Sequence, residues 1–189
     1  IRQQEATDSY TGNYWAMIKA APRFGKCKVT IEILRKFNMN KILICIPRVD
    51  IKESWENDME KWGWSGDVTY TTFRSLHKVK DKYDLVIIDE IHECSPNQLK
   101  AIKLLKAKKL LALSGTITQK TEKEIADLAD IYPSYEYTIE QAVEEGILCD
   151  YTITLHKVKL DDSKPLHRGR SEKAKFFALE KAKKKKKKE

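Results

Sequence analysis

No stretch of this 189-residue sequence approaches the length of a membrane span, and none has the layout of a secretory signal. Its four cysteines, Cys27, Cys45, Cys94 and Cys149, show no paired zinc spacing. Cys94 lies two residues from His92, but two ligands without partners do not build a metal centre. These absences exclude a membrane-spanning protein and a zinc-stapled module, and scattered thiols fit a reducing cytosol. The body of the chain also lacks net charge. From Arg168 to Glu189 there are eleven Lys or Arg against three Glu, a net of +8, which equals the net charge of the whole chain. Everything before Arg168 therefore sums to zero, which argues against a strongly basic groove in the body. The run Lys183 to Lys188 reads first as a disordered, solvated segment. Two other readings stay open: a sequence-independent phosphate contact with strong salt dependence, and a helix starting near Ser171.

Residues 85–92, Leu-Val-Ile-Ile-Asp-Glu-Ile-His, are the most informative stretch present. The apolar run reads as a strand buried on both faces, as central strands of parallel sheets are. Asp89 and Glu90 then fall where that strand ends, the edge at which open α/β sheets bind ligands. Two acids there are costly unless a cation or a reacting water meets them, which suggests a magnesium-nucleotide site. The alternative is a strand followed by a plain acidic turn.

Upstream, Ala20-Ala-Pro22-Arg23-Phe24-Gly25-Lys26-Cys27 has the layout of a phosphate loop between an apolar strand and a helix. Gly25 lets backbone approach a phosphate, and the turn aims amides at the helix N-terminus toward the anion. Lys26 reaches the β- and γ-phosphates as a point charge. Two positions depart from the full pattern: Ala20 replaces its first glycine, and Cys27 replaces the hydroxyl residue after the lysine. A thiol is a softer, weaker magnesium partner than a hydroxyl. Downstream, Leu110-Leu-Ala-Leu-Ser114-Gly-Thr116 is a second apolar strand ending in small hydroxyl residues.

The length fits one domain with a substantial core. The patterns predict strands over 14–20, 41–46, 67–71, 84–88, 110–113 and 152–158, and helices over 27–37, 51–62, 96–106, 121–131 and 139–146. This alternation predicts an α/β fold with a mostly parallel central sheet and helices on both faces. Trp55, Trp62 and Trp64, on or just beyond the second helix, read as packing residues rather than base-stacking ones.

In this order the motifs resemble the first RecA-like lobe of superfamily-2, DExH-type helicases and translocases, P-loop NTPases of which the phage- and restriction-type DNA-acting branch is the nearest in pattern. Weaker elements of the resemblance are Gln3 (an adenine-reading glutamine motif), Pro47-Arg48, the turn holding Thr72 and Arg74, and residues 137–151. The resemblance covers roughly 3–158 and implies a lobe over 1–158 with a flexible basic tail or linker over 159–189. It implies ATP and Mg2+ as cofactors, with Gln3, Pro22, Arg23, Phe24, Gly25, Lys26 and Cys27 around the nucleotide. Asp89 would hold Mg2+ and Glu90 would orient and deprotonate the attacking water, with Lys26 on the phosphates. His92, Ser114 and Thr116 would couple this site to nucleic acid or to a second lobe, with the nucleic acid (DNA before RNA) contacted by Pro47, Arg48, Thr72 and Arg74. The other readings stay open: a turn residue at His92, a plain strand-to-helix turn at 114–116, and ordinary surface positions at Arg48, Thr72 and Arg74. The resemblance also implies a second RecA-like lobe bearing arginines. Nothing after residue 158 resembles one, so the chain is expected to be half of a cytoplasmic motor of a bacterial cell or phage-infected host. The competing reading is a nucleotide-binding or interaction module with little hydrolysis.

Overall fold

The computed structural model describes residues 1–12, 15–105, 107–115, 117–150, 152 and 154. Six strands form its centre: β1 (Trp15–Ala20), β2 (Lys41–Ile46), β3 (Asp67–Thr72), β4 (Leu85–Ile88), β5 (Leu110–Ser114) and β6 (Tyr132–Tyr137). They form one sheet in the order β3-β2-β4-β5-β1-β6, and every pairing is parallel. The central strands β4 and β5 are buried at every position, as expected where helices cover both faces. The expected α/β fold is present.

Among the described residues, six α-helices surround the sheet: α1 (Arg2–Ser9), α2 (Lys26–Lys36), α3 (Ile51–Lys61), α4 (Pro96–Lys103), α5 (Gln119–Ala129) and α6 (Ile139–Glu144). The side-chain alternation of the strands divides the core in two. On one face Ile18, Ile42, Ile44, Ile87 and Leu113 pack against Ala6, Ile33, Leu34, Trp55, Met59 and Ala142 of α1, α2, α3 and α6. On the other, Met17, Leu43, Val86, Ile88 and Ala112 meet Leu99, Ile102, Ile125 and Ala129 of α4 and α5.

Local chemistry fixes where the helices begin. Pro96 opens α4 behind Ser95, whose N–H donates to Gln98 Oε1 at 2.8 Å. Thr118 accepts the Thr121 N–H at the start of α5. At α6 the bond is reciprocal, with the Gln141 N–H on Thr138 Oγ1 and the Thr138 N–H on Gln141 Oε1.

Two elements were not expected from the sequence, and both are too polar or too irregular for periodicity to reveal. The helix α1 is mostly polar and is held by burial of Ala6 and Thr7 against the body. The strand β6 contains Pro133, which suits only an edge strand. Its register on β1 slips between Met17 and Ile18, leaving Ser134 unpaired in the ladder. The predicted helices over 51–62, 96–106, 121–131 and 139–146 are present with ends shifted by one to three residues, as end-fraying makes usual. The strand expected over 152–158 and the basic tail lie outside the described residues, apart from Thr152 and Thr154. Ile1–Asp150 forms one compact unit. Among the described residues, no helix is long and apolar enough to cross a membrane.

Candidate active site

Because all six strands are parallel, their C-terminal ends share one edge of the sheet, and the sequence motifs meet there. The turn after β1 runs through Pro22 and Arg23, both exposed, to the buried ring of Phe24 and then Gly25. Arg23 and Gly25 both have left-handed backbone, φ 65° and φ 85°, and Gly25 is the residue from which α2 starts. That conformation is cheap for glycine and costs an arginine roughly 1 kcal/mol or more. The turn is clamped from two sides. The Ala21 N–H donates to the Tyr137 carbonyl at 2.9 Å, and Gln3 Nε2 donates to the Phe24 carbonyl at 2.7 Å. The Phe24 ring lies against Tyr135 and Tyr137 of β6. Gln3 thus touches the loop itself, a contact supplied by the unexpected helix α1.

Lys26 and Cys27 open α2, and Lys26 reaches across the end of β5 to the end of β4. Its Nζ lies 3.5 Å from Glu90 Oε1. Glu90 sits in the left-handed region at φ 47°, a strained backbone for a residue of its type. Its other oxygen, Oε2, is 3.3 Å from His92 Nδ1 and accepts the Gly115 N–H at 3.3 Å. The same His92 nitrogen is 2.8 Å from Ser114 Oγ, which is fully buried at the end of β5. Lys26, Glu90, His92, Ser114 and Gly115 therefore form one connected polar chain across three strand ends. Thr116 lies outside the described residues.

Asp89 stands behind this chain, only 7% exposed. Its Oδ2 accepts the indole N–H of Trp55 at 2.8 Å. Burial raises the Asp89 carboxyl above the ordinary carboxylate range, and the Trp55 bond opposes that rise. A cavity of about 150 Å³ opens between α3 and the strand ends, lined by Lys26, Cys27, Ser54, Trp55, Asp58, Asp89 and Glu90 among others. Burial, reinforced by Asp58 and Asp89, pushes the Cys27 thiol far up, so it stays a neutral thiol. Trp55 was expected to be a packing residue. It does pack in the core, but it also donates to Asp89, and Ser54 and Asp58 of the same helix face the cavity. The only sequence signal for this was a polar-tipped aromatic on the inward stripe of α3.

The remaining candidates occupy neighbouring strand ends. Pro47, half-buried, and Arg48, exposed and 3.7 Å from Asp50, follow β2. Thr72 ends β3 and the exposed Arg74 follows it. The Phe73 N–H donates to the Ile46 carbonyl at 3.3 Å, so the two turns are adjacent. They share the strand-end edge with Lys26 and Glu90 but touch neither.

The residues present suit a nucleotide-borne cation better than a dedicated metal cage. Among the described residues there is no cluster of three or more His, Cys, Asp or Glu able to hold a metal. Magnesium that arrives on phosphates needs only one or two carboxylates, and Asp89 with a neutral Cys27 beside it meets that requirement.

The fold is the RecA-like α/β fold, shared with solved helicase structures. The chain superposes on the UvsW helicase from bacteriophage T4 with a TM-score of 0.56, at 14% identity, over 72% of this chain and 58% of that one. It superposes on the Hef helicase domain of Pyrococcus furiosus with a TM-score of 0.55, at 12% identity, over 72% of this chain and 37% of that one. The DUF1998 helicase MrfA, solved bound to DNA and AMPPNP, gives 0.51 at 14% identity, over 72% of this chain and 26% of that one. The chain thus spans less than two thirds of each. By sequence, no family model and no curated protein matches it. At these identities the likeness establishes the fold and leaves the chemistry to the site itself.

Proposed function

We propose that this chain is the ATP-binding lobe of a nucleic-acid-dependent ATPase, a helicase or double-stranded DNA translocase completed by a second RecA-like lobe. The observation that carries this reading is the convergence of Lys26, Asp89 and Glu90 at one strand-end cavity, with His92 and Ser114 wired to Glu90. In this reading Gly25 and the first amides of α2 cradle the phosphates. Lys26 leaves Glu90 and moves to the β- and γ-phosphates. Asp89 would hold Mg2+, which neutralises charge on the phosphates when bound. Glu90 is freed to orient and deprotonate the attacking water, with positioning and electrostatics supplying most of the rate. His92 and Ser114 report the state of Glu90 to the end of β5, and Thr116 is the third coupling residue of this reading. Gln3 sets the loop through Phe24, and Pro22, Arg23 and Cys27 complete its wall. Pro47, Arg48, Thr72 and Arg74 are the nucleic-acid contacts. DNA is preferred to RNA because one structural neighbour is itself bound to DNA. Such a motor half would work in the cytoplasm of a bacterial cell or phage-infected host.

Equilibrium titration with ATP in the presence and absence of Mg2+ tests the reading, with hydrolysis followed on adding double-stranded DNA. The chain by itself is expected to bind Mg-ATP and hydrolyse it poorly, and Lys26→Ala to abolish binding. Binding that Lys26→Ala leaves intact would overturn the assignment. The neutral thiol of Cys27 favours one second reading, a nucleotide-binding module with little hydrolysis. Cys27→Thr separates the two: strengthened Mg2+ dependence marks the thiol as the weak point, and no change removes that objection.

A further inference from the structure

We infer that Trp55 is a positioning residue for Asp89, fixing that carboxylate for the phosphate-bound cation through its indole N–H. This inference rests on the nucleotide reading above and adds to it a residue from a different crossover of the fold.

Asp89 has no room to orient itself. It is the first residue beyond β4, and its N–H is tied to the Cys45 carbonyl at 2.9 Å. Its side chain is buried, and one carboxylate oxygen is held by the Trp55 indole at 2.8 Å, a bond itself shielded from water. A charge-assisted bond to a buried carboxylate is stronger than a neutral one and fixes rotamer as well as charge. Trp55 is in turn 5% exposed and packed in the core beneath α3. Indole suits the task because it donates once, accepts nothing and cannot ionise. It therefore holds one oxygen without competing for the cation. Ser54, Trp55 and Asp58 line the same cavity as Lys26 and Asp89, so the placement of α3 sets one wall of the cation position.

Trp55→Phe keeps most of the ring and deletes the donor. The readout is the ratio of ATP Kd without Mg2+ to that with Mg2+, measured on the full chain. The variant is expected to keep its Mg2+-free affinity within about twofold and to lose roughly tenfold of the Mg2+-dependent gain, the size of one charge-assisted hydrogen bond. In an Asp89→Asn background the same change is expected to cost nothing further. A merely structural tryptophan would weaken both affinities together, and that outcome overturns the inference, as does an unchanged ratio. If wild-type protein binds no ATP under either condition, the nucleotide reading falls and this inference with it. Should Trp55→Phe not fold, the wild type and Asp89→Asn serve alone. One of the four indole N–H resonances is expected to move on Asp89→Asn and again on adding Mg-ATP. Four unmoved resonances would overturn the assignment.

Discussion

On the proposed function, Glu90→Gln is expected to tighten ATP binding and to abolish hydrolysis once a second RecA-like lobe completes the site. Glutamine preserves the shape, so the Gly115 N–H, now 3.3 Å from Glu90 Oε2, keeps an acceptor. What disappears is the charge facing Lys26. At 3.5 Å, with an effective dielectric of about 20, the gross attraction is roughly 5 kcal/mol. Most of that is offset by desolvation and by ordering two side chains. With side chains 18% and 28% exposed, the pair is neither free in water nor fully buried, and about 1 kcal/mol net is the realistic scale. On the proposed reading, phosphate binding has to break this pair before Lys26 can turn to the nucleotide. Deleting the partner removes that cost, so ATP should bind about fivefold more tightly. Isothermal titration at two ionic strengths checks the argument, because the gain should shrink as salt screens the pair. Weaker binding by Glu90→Gln would refute the Lys26–Glu90 competition, and undiminished turnover in the two-lobed protein would remove Glu90 from its role.

Gly25→Ala places a Cβ 2.7 Å from Gln3 Nε2 at a φ of 85°. Backbone strain and the lost Gln3–Phe24 bond together cost about 2 kcal/mol, a fall of roughly 4–8 °C in Tm at this chain length. Gly146→Ala, also at positive φ but in open space, should show only the strain, and equal losses in the two variants would refute the clamp. Asp89→Asn should raise Tm at neutral pH. Burial raises the folded carboxyl above its unfolded value of 3.8, so the unfolded chain ionises first and stability falls as pH rises through that interval. The variant lacks this loss, so its advantage should vanish as pH drops below the unfolded value, and thermal melts of both proteins across pH decide it. Deleting residues 168–189, with their net charge of +8, should weaken DNA binding at low salt and flatten its salt dependence. Equal affinity with and without the tail would reduce it to a solvated end.

The α/β class and the residue types gathered at the strand ends were legible in the sequence. Strictly apolar runs at 85–88 and 110–113 can be satisfied only between two layers of helices. Gly25-Lys26 before a helix, and Asp89-Glu90 after a buried strand, are local patterns that can be read without knowing their partners. Tertiary structure decided what these residues touch. The strand order β4-β5-β1 sets Lys26 across one intervening strand end from Glu90, and no local pattern encodes strand order. Packing also decided the two elements that periodicity missed. The polar helix α1 exists because the body buries Ala6, and through it Gln3 reaches the turn after β1. The strand β6 survives its proline because it lies at the edge. Trp55 shows the same division at one residue. Its apolar ring was legible as a core position, but the bond from its nitrogen to Asp89 joins residues 34 apart in sequence. A hydrogen bond depends on where two atoms finish in space, and only the folded chain brings those two together.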